Sequence, residues 1–559
     1  MTNRGGIWET VSHIAKPFDA YKYYIERADG TYGFKADPYG FHTEVRPETA
    51  SRIAVLEGYQ WQDGAYRRVR AGRDPLAFPI NLYELHLGSW ARRGDGSFYS
   101  YGELAERLIP YVQEMGYTHI ELLPVAEHPL DASWGYQVTG YYAPSSRYGT
   151  PHDFMAFVDK CHGAGIGVIL DWVGAHFPKD ASGLYEFDGT CCYESQDPAR
   201  REHPQWGTCL FDYRRNEVRS FLISNVAYWL REYHVDGIRF DAVSTMIYRD
   251  YFRDPDCWRK GDNVNVDAVR LLQEIHRAAL KINPGALMIA EEATPFPKVT
   301  KSVKEGGLGF HLKWNMGWMH DTLAYMEQDP LARKWHHNKL TFSMTYAFSE
   351  NYILPFSHDE VVHGKKSLLD RMPGTYDEKF AGLRTMLTYQ MTHPGKKLNF
   401  MGYELGQFIE WDEKRELDWF LLDYERHRQM KAYVKALNHL YRKHSALWND
   451  GGWEGFTWVK VDDGDNSVFA YRRIGKKGEE LLVVLNFCPV LRRDYPIGLP
   501  ESCRLRLLLS SDDLAFGGGG TLVGDGKTRP IPVDGFPHSV KLTLPPLSGV
   551  IYRRTHIKR

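Results

Sequence analysis

Two hydrophobic rhythms alternate through the middle of this chain. Compact apolar runs of strand length are followed by longer stretches whose apolar residues recur every three or four positions. The runs fall at residues 80–87, 119–124, 168–173, 237–241, 287–291, 311–314, 353–358 and 397–401. Helical spacing is clear at 154–162 before the third run, 217–231 before the fourth and 266–280 before the fifth. Runs that are apolar throughout suit strands covered on both faces. Strand and helix in alternation predict parallel pairing through helical crossovers. Eight such units predict an α/β fold, a closed (β/α)8 or TIM barrel, over residues 79–448.

The rhythm differs at both ends. Residues 1–78 are short and strand-like. Tyr21-Lys-Tyr-Tyr-Ile25 alternates crudely, Ala28-Asp-Gly30 turns, and Tyr32-Gly-Phe-Lys35 continues. This predicts part of a small β domain, too short for a sandwich of roughly 100 residues. From 449 to 559 the texture is all β, with strands expected at 456–461, 467–471 and 481–487 between Gly, Asp and Asn turns. A C-terminal β-sandwich is expected there. Residues 177–213, rich in Gly, Pro, Asp and Cys, interrupt the barrel after its third strand. A long loop at that place is expected to form a lid or a substrate wall. Gly517–Gly520 is expected to be a flexible loop, because neither a Lys-Ser/Thr pair nor a helix follows it as a phosphate cradle requires.

Composition narrows the function. The 69 Lys and Arg against 71 Asp and Glu leave no basic field for a phosphate backbone, so a nucleic-acid partner is not expected. Aromatic residues make up 14% of the chain, and sugars rest their C–H faces on such rings, although most rings in any protein are core. Seven cysteines, an odd number without a CxxC pair, argue against a disulfide framework or a zinc site. The first twenty residues lack the apolar run of a signal peptide, and no segment approaches about 18 apolar residues. A cytoplasmic monomer is expected, with no membrane partner.

Four short segments at the ends of predicted strands carry the candidate chemistry: Asp171-Trp-Val-Gly-Ala-His176, Gly237-Ile-Arg-Phe-Asp241, Ala290-Glu291-Glu292 and Ser357-His358-Asp359-Glu360. Arg239 and Asp241 are two residues apart, which places both side chains on one face of a strand. The guanidinium is then expected to hold the Asp241 carboxylate ionised, as a nucleophile needs. The bland alternative is a structural ion pair. Glu291 ends a run whose C-terminal end faces the barrel mouth, where a raised pKa would suit a proton donor. Glu292 is expected to point away, but local physics does not decide between the two. Asp359 is a further acid able to favour positive charge at an anomeric carbon. Asp171, His176 and His358 suit hydroxyl bonding, and Tyr136 in the loop after the second strand suits stacking on a sugar. No HExxH-type spacing points to a metal.

These segments resemble the signatures of glycoside hydrolase family 13, the α-amylase superfamily. The stretches Tyr83-Glu-Leu-His-Leu-Gly-Ser-Trp90, Leu122-Leu-Pro-Val-Ala-Glu-His-Pro129, Ser133-Trp-Gly-Tyr-Gln137, Lys313-Trp-Asn-Met-Gly-Trp-Met319 and Ser357-His-Asp-Glu-Val-Val-His-Gly-Lys365 are similar to those of bacterial branching enzymes, a glycosyltransferase family of glycogen biosynthesis. The resemblance implies Asp241 as nucleophile, Glu291 as general acid/base and Asp359 as transition-state stabiliser. It implies that Tyr136, Asp171, His176, Arg239 and His358 line the subsite of the cleaved bond. The implied reaction retains configuration, with the Asp241 and Glu291 carboxyls about 5–5.5 Å apart. It moves a segment of an α-1,4-glucan such as amylose to a sugar 6-hydroxyl, without a cofactor. Hydrolysis of α-glucans on the same barrel and non-catalytic glucan binding are the alternatives. The chain departs from the pattern at Gly174, where the family usually has Pro, with a modest effect expected. At its front, Gly6-Ile-Trp-Glu9 and Lys35-Ala-Asp-Pro-Tyr39 resemble only the later strands of a family 48 carbohydrate-binding module, so a truncated module with an exposed edge or a missing upstream segment is expected.

Overall fold

The computed structural model describes residues 2–4, 7–71, 74–254 and 256–556. Eight strands form a closed barrel in chain order: β1 (Asn81–Leu85), β2 (His119–Leu122), β3 (Gly167–Trp172), β4 (Gly237–Phe240), β5 (Leu287–Ala290), β6 (Leu312–Trp314), β7 (Tyr352–Phe356) and β8 (Lys396–Phe400). All pairings are parallel, and β8 closes on β1 with Leu398 opposite Leu82. Strand alternation divides the buried residues into two layers. Leu82, Ile169, Ile289, Leu312, Trp314 and Ile353 fill the inside. Outward residues such as Ile120, Leu170, Ile238, Phe240 and Phe356 join the larger core under the helices. Burial on both faces is why these strands read as continuous apolar runs. At Gly237 an added Cβ would meet the Leu287 carbonyl oxygen at 2.3 Å, so β4 and β5 could not approach as they do with a larger residue there.

The expected helices run over Pro151–Gly163, Asn216–Glu232 and Val266–Ile282. The first begins with a reciprocal cap between Thr150 and Asp153 and with proline in its first turn. The loop after β3 is partly ordered as a sheet: His176–Phe177, Thr208–Leu210 and Glu202–His203 pair in a three-stranded arrangement.

At the front, Tyr23–Glu26 and Tyr32–Lys35 form a hairpin around Gly30, whose φ of 83° suits glycine. Ala20–Tyr21, Ser51–Arg52 and His42–Thr43 pair beside it. Ile7–Glu9 pairs with Thr2–Arg4, and Gly6 lies outside the described residues. The strand-like reading of this region fails at Gly64–Ala71, which is a helix. Its sequence has no apolar stripe because it docks through polar side chains. Arg70 Nη1 and the Tyr66 hydroxyl donate to Asp236 Oδ1 at 2.6 and 3.1 Å, at the N-terminal end of the barrel.

Beyond the barrel, Phe456–Lys460, Val468–Ile474, Glu480–Asn486, Ser548–His556, Cys503–Ser510 and Gly526–Lys527 form a six-stranded sheet. It faces a two-stranded sheet of Arg492–Leu499 and His538–Leu544 across a core of its own. Three buried arginines join this sandwich to the barrel. Arg384 Nε donates to the Ser511 carbonyl (2.8 Å), Arg473 Nη1 to the Thr392 carbonyl (2.7 Å) and Arg333 Nη1 to the Phe487 carbonyl (2.8 Å). The Gly517–Gly520 run, expected to be free, is folded onto Asp512, whose carboxylate accepts from the Gly519 and Thr521 amides. An added Cβ at Gly518 would meet the Asp512 backbone at 2.1 Å.

Candidate active site

The C-terminal ends of β1, β3, β4, β5 and β7, with the loop after β2, bring polar side chains to one mouth, where barrel chemistry is found. Arg239, on β4 and buried, is the hub. Its Nη1 donates to Asp171 Oδ1 and Oδ2 at 2.7 and 2.6 Å and to Asp241 Oδ1 at 3.0 Å. Its Nη2 pairs with Glu291 Oε2 at 2.9 Å. The guanidinium lies 4.4 Å from the centre of the Trp314 ring, which forms its floor inside the barrel. One cation thus bridges the acids that end β4 and β5.

The Tyr136 hydroxyl donates to Asp171 Oδ2 at 2.6 Å and lies 3.2 Å from His358 Nε2, with the two rings stacked. The loop carries the ring there through Gly135, whose φ is 97° and whose added Cβ would meet the Pro124 carbonyl oxygen at 2.3 Å. His358 Nε2 is 3.5 Å from Asp359 Oδ1. His176 Nε2 lies 3.0 Å from the Tyr136 carbonyl oxygen, and its ring is 4.9 Å from that of Trp206 on the long loop. All eight residues singled out from the sequence therefore form one connected cluster, His176 joining it through the Tyr136 backbone. Glu291 also accepts the Ala242 amide at 2.8 Å. Glu292 faces away, onto Lys313 Nζ (2.5 Å) and the Ser244 hydroxyl (2.9 Å).

Electrostatics correct one expectation. Arg239 does not serve Asp241 alone, because its charge is divided among three acids. Burial, reinforced by Glu291, Asp171 and Asp359, pushes the Asp241 carboxyl well above the usual range, with Arg239 opposing. Burial likewise raises Asp171 despite Arg239. The mouth thus favours retaining a proton among its acids, a property of the group and not of one residue. Burial lowers His176 to about 4, so its ring is neutral at pH 7. His358 goes the other way. Burial opposes its charge, but Glu84 and Asp359 raise it to about 9.

Glu84 and Glu121, inside β1 and β2, were not foreseen as part of this site. The available signal was an acid at an inward strand position, two residues from Leu82 or His119. Among the described residues no group of three or more His, Cys, Asp or Glu could hold a metal ion. Gly174 also departs from expectation. An added Cβ there would meet the Trp172 ring at 2.1 Å, so the residue that the family usually carries is incompatible with this pose of Trp172.

The α-amylase catalytic-domain family model matches residues 101–190 and 208–492, and the α-amylase C-terminal all-β domain matches 458–555. Two curated 1,4-α-glucan branching enzymes are similar over nearly the whole chain. That of Nitrosomonas europaea is 50% identical over 555 residues, covering 98% of this chain and 76% of its own. That of Geobacillus stearothermophilus is 50% identical over 542 residues, covering 95% and 83%. The chain belongs to the 1,4-α-glucan branching enzymes of the α-amylase family. As a branching enzyme it is a glycosyltransferase acting on glucan. Among solved structures, a pullulanase of Anoxybacillus sp. LM18-11 complexed with maltotetraose superposes with a TM-score of 0.72 at 17% identity, covering 96% of this chain and 79% of its own. A putative α-amylase of Salmonella typhimurium gives 0.70 at 19%, covering 97% and 91%. These two show the fold. No helix among the described residues of this branching enzyme is long and apolar enough to cross a membrane.

Proposed function

We propose that this chain forms α-1,6 branches by a retaining, two-step transfer at the mouth around Arg239. Glu291 protonates the glycosidic oxygen of an α-1,4 bond while the Asp241 carboxylate attacks the anomeric carbon and the leaving chain departs. Glu291, now ionised, removes the proton of an acceptor 6-hydroxyl, which displaces Asp241 and restores the configuration. Asp359 stabilises the positive charge that develops on the sugar, and Tyr136, Asp171, His176, Arg239 and His358 hold that sugar. The observation that carries this reading is the single guanidinium joining Asp241 and Glu291 at adjacent strand ends. A mouth that favours keeping a proton supplies the acid for the first step.

The unit at work is divided into a front β region (1–78), the barrel (79–448) and the sandwich (449–559), acting as a cytoplasmic monomer on α-glucan without nucleic acid. The test is proton NMR of amylose incubated with the purified protein, read beside a reducing-end assay. New α-1,6 anomeric signal with few new reducing ends is expected. Reducing ends rising without α-1,6 signal would make the chain a hydrolase instead.

A further inference from the structure

Two acids beneath the mouth have no part in the reaction as described. Glu84 on β1 and Glu121 on β2 are direct neighbours across parallel strands, both buried inside the barrel. Glu84 is tied to His358 at two points. Its Oε2 accepts the His358 backbone amide at 3.0 Å and its Oε1 lies 2.6 Å from His358 Nδ1. Glu121 differs: neither of its carboxyl oxygens has a hydrogen-bond partner among the described residues.

The proton positions follow from the partners. The Tyr136 hydroxyl has one proton, committed to Asp171 at 2.6 Å. Its oxygen therefore offers only a lone pair to His358 Nε2, 3.2 Å away. Asp359, also near Nε2, is an acceptor as well. On the other side of the ring, Nδ1 faces a carboxylate. With acceptors at both nitrogens, the ring needs a proton on each. We propose that Glu84 is a positioning residue that holds His358 as a doubly protonated imidazolium, able to donate from Nε2 to a sugar hydroxyl, while Glu121 stays neutral so that Glu84 keeps its charge for His358. The proposal rests on the reading that His358 contacts the sugar at the cleaved bond.

The groups facing His358 are Glu84 from β1, Tyr136 from the loop after β2, its neighbour Asp359 and, at longer range, Arg239 from β4, Asp171 from β3 and Glu121 from β2. Trp134, Phe400 and Trp411 complete its surroundings without charge. Against burial and Arg239, Glu84 is the largest of the groups that raise the ring, acting through both its charge and its hydrogen bond, with Asp359 beside it. Glu121 is pushed well above the carboxylate range by burial and then by Glu84 itself, which agrees with its unpartnered oxygens. A neutral carboxyl tolerates that position far better than an ionised one.

The experiment is the pH dependence of kcat for α-1,6 bond formation on amylose. In the native enzyme the protonated ring persists to about pH 9, so the alkaline fall traceable to His358 lies there. Glu84→Gln keeps the shape but removes the charge. The ring then titrates at or below the ordinary histidine value of about 6.5, and kcat at pH 8 falls roughly 30-fold relative to pH 6. Glu121→Gln replaces one neutral group by another and leaves the alkaline limb in place. A folded Glu84→Gln enzyme with an unmoved limb overturns the role of Glu84. A limb shifted by Glu121→Gln overturns the neutrality of Glu121. Should Glu84→Gln fail to fold, nitrogen-15 histidine spectra of the native protein decide, with His358 assigned from the His358→Gln variant. Both ring nitrogens protonated at pH 7.5 is the expected result, and a neutral ring overturns the proposal. Loss of branching in His358→Gln is expected under either result. If His358→Gln branches normally, the sugar-contact reading fails, whatever the protonation of the native ring.

Discussion

Asp241 and Glu291 end adjacent strands, and Arg239 touches both. When Glu291 gives its proton to the leaving oxygen it becomes a carboxylate facing Arg239, while Asp241 loses its charge by bonding to the sugar, so the cation has an anionic partner in both steps. That lets Glu291 act first as acid and then as base. Replacing Glu291 by Gln leaves an oxygen to accept from the Ala242 amide, but removes both the transferable proton and the carboxylate charge that faces Arg239. We expect kcat on amylose to fall by on the order of 10²–10⁴, while glucan binding is retained. A substrate with a fluoride leaving group, which needs no protonation, should recover the first step. Steady-state rates on the two substrates check this. At the residue scale, the part of the site visible in the sequence was the part that is local. The two-residue spacing of Arg239 and Asp241 puts both on one strand face regardless of what surrounds them. Glu84 was hidden because its meaning depends on His358, 274 residues away, and on the inward parity of β1.

Elements show the same division. The barrel strands were legible because burial on both faces leaves a run with few polar interruptions. The helix Gly64–Ala71 was not, because it is held by charges. Its anchor, Asp236, receives Arg70 and also His162 Nε2 at 3.0 Å, while His162 Nδ1 lies 3.0 Å from Asp63. Burial disfavours charge on both Asp236 and His162. Arg70 and His162 nevertheless hold Asp236 well below the usual carboxylate range, and Asp236 raises His162 to about 9. The signs are opposite. The histidine's contribution is complete below about pH 6.5 and is lost as pH rises through 9, whereas the aspartate's is complete above about 3.9 and is lost in stronger acid. Asp236→Asn should cost about 3–5 kcal/mol and reduce the decline in thermal midpoint between pH 6.5 and 9 expected of the native enzyme in scanning calorimetry, Asp63 remaining as a partner of His162. A second element-level expectation concerns β3. Gly174→Ala forces its Cβ into the Trp172 ring, which is itself held by a bond from Nε1 to Asn225. A loss of about 1–3 kcal/mol is expected. Denaturant unfolding should show a smaller loss when Trp172→Leu is present, because the obstacle is then gone. The sequence could register glycine at 174 but not the ring lying across it.

Across the whole molecule, the sandwich and the barrel share a seam through which Arg333, Arg384 and Arg473 pass, each buried. Separating the two parts would take from each of these guanidinium groups the carbonyl it reaches across the seam before water could replace it, which is costly for a buried charge. The two units should therefore unfold together, giving one calorimetric transition with matching calorimetric and van't Hoff enthalpies. Two resolved transitions would show that the seam is weaker than its contacts indicate. The contacts made across the seam have a further consequence. The arginines reach over to main-chain carbonyls of Ser511, Thr392 and Phe487. Every residue type offers the same carbonyl, so what is recognised is the path of the backbone and not the identity of the side chains along it. A sandwich of similar course from a distant relative would present the same acceptors to Arg384 and Arg333, but it would have to bring its own arginine at the place of Arg473 to reach Thr392, which states what a graft at this end of the molecule must carry.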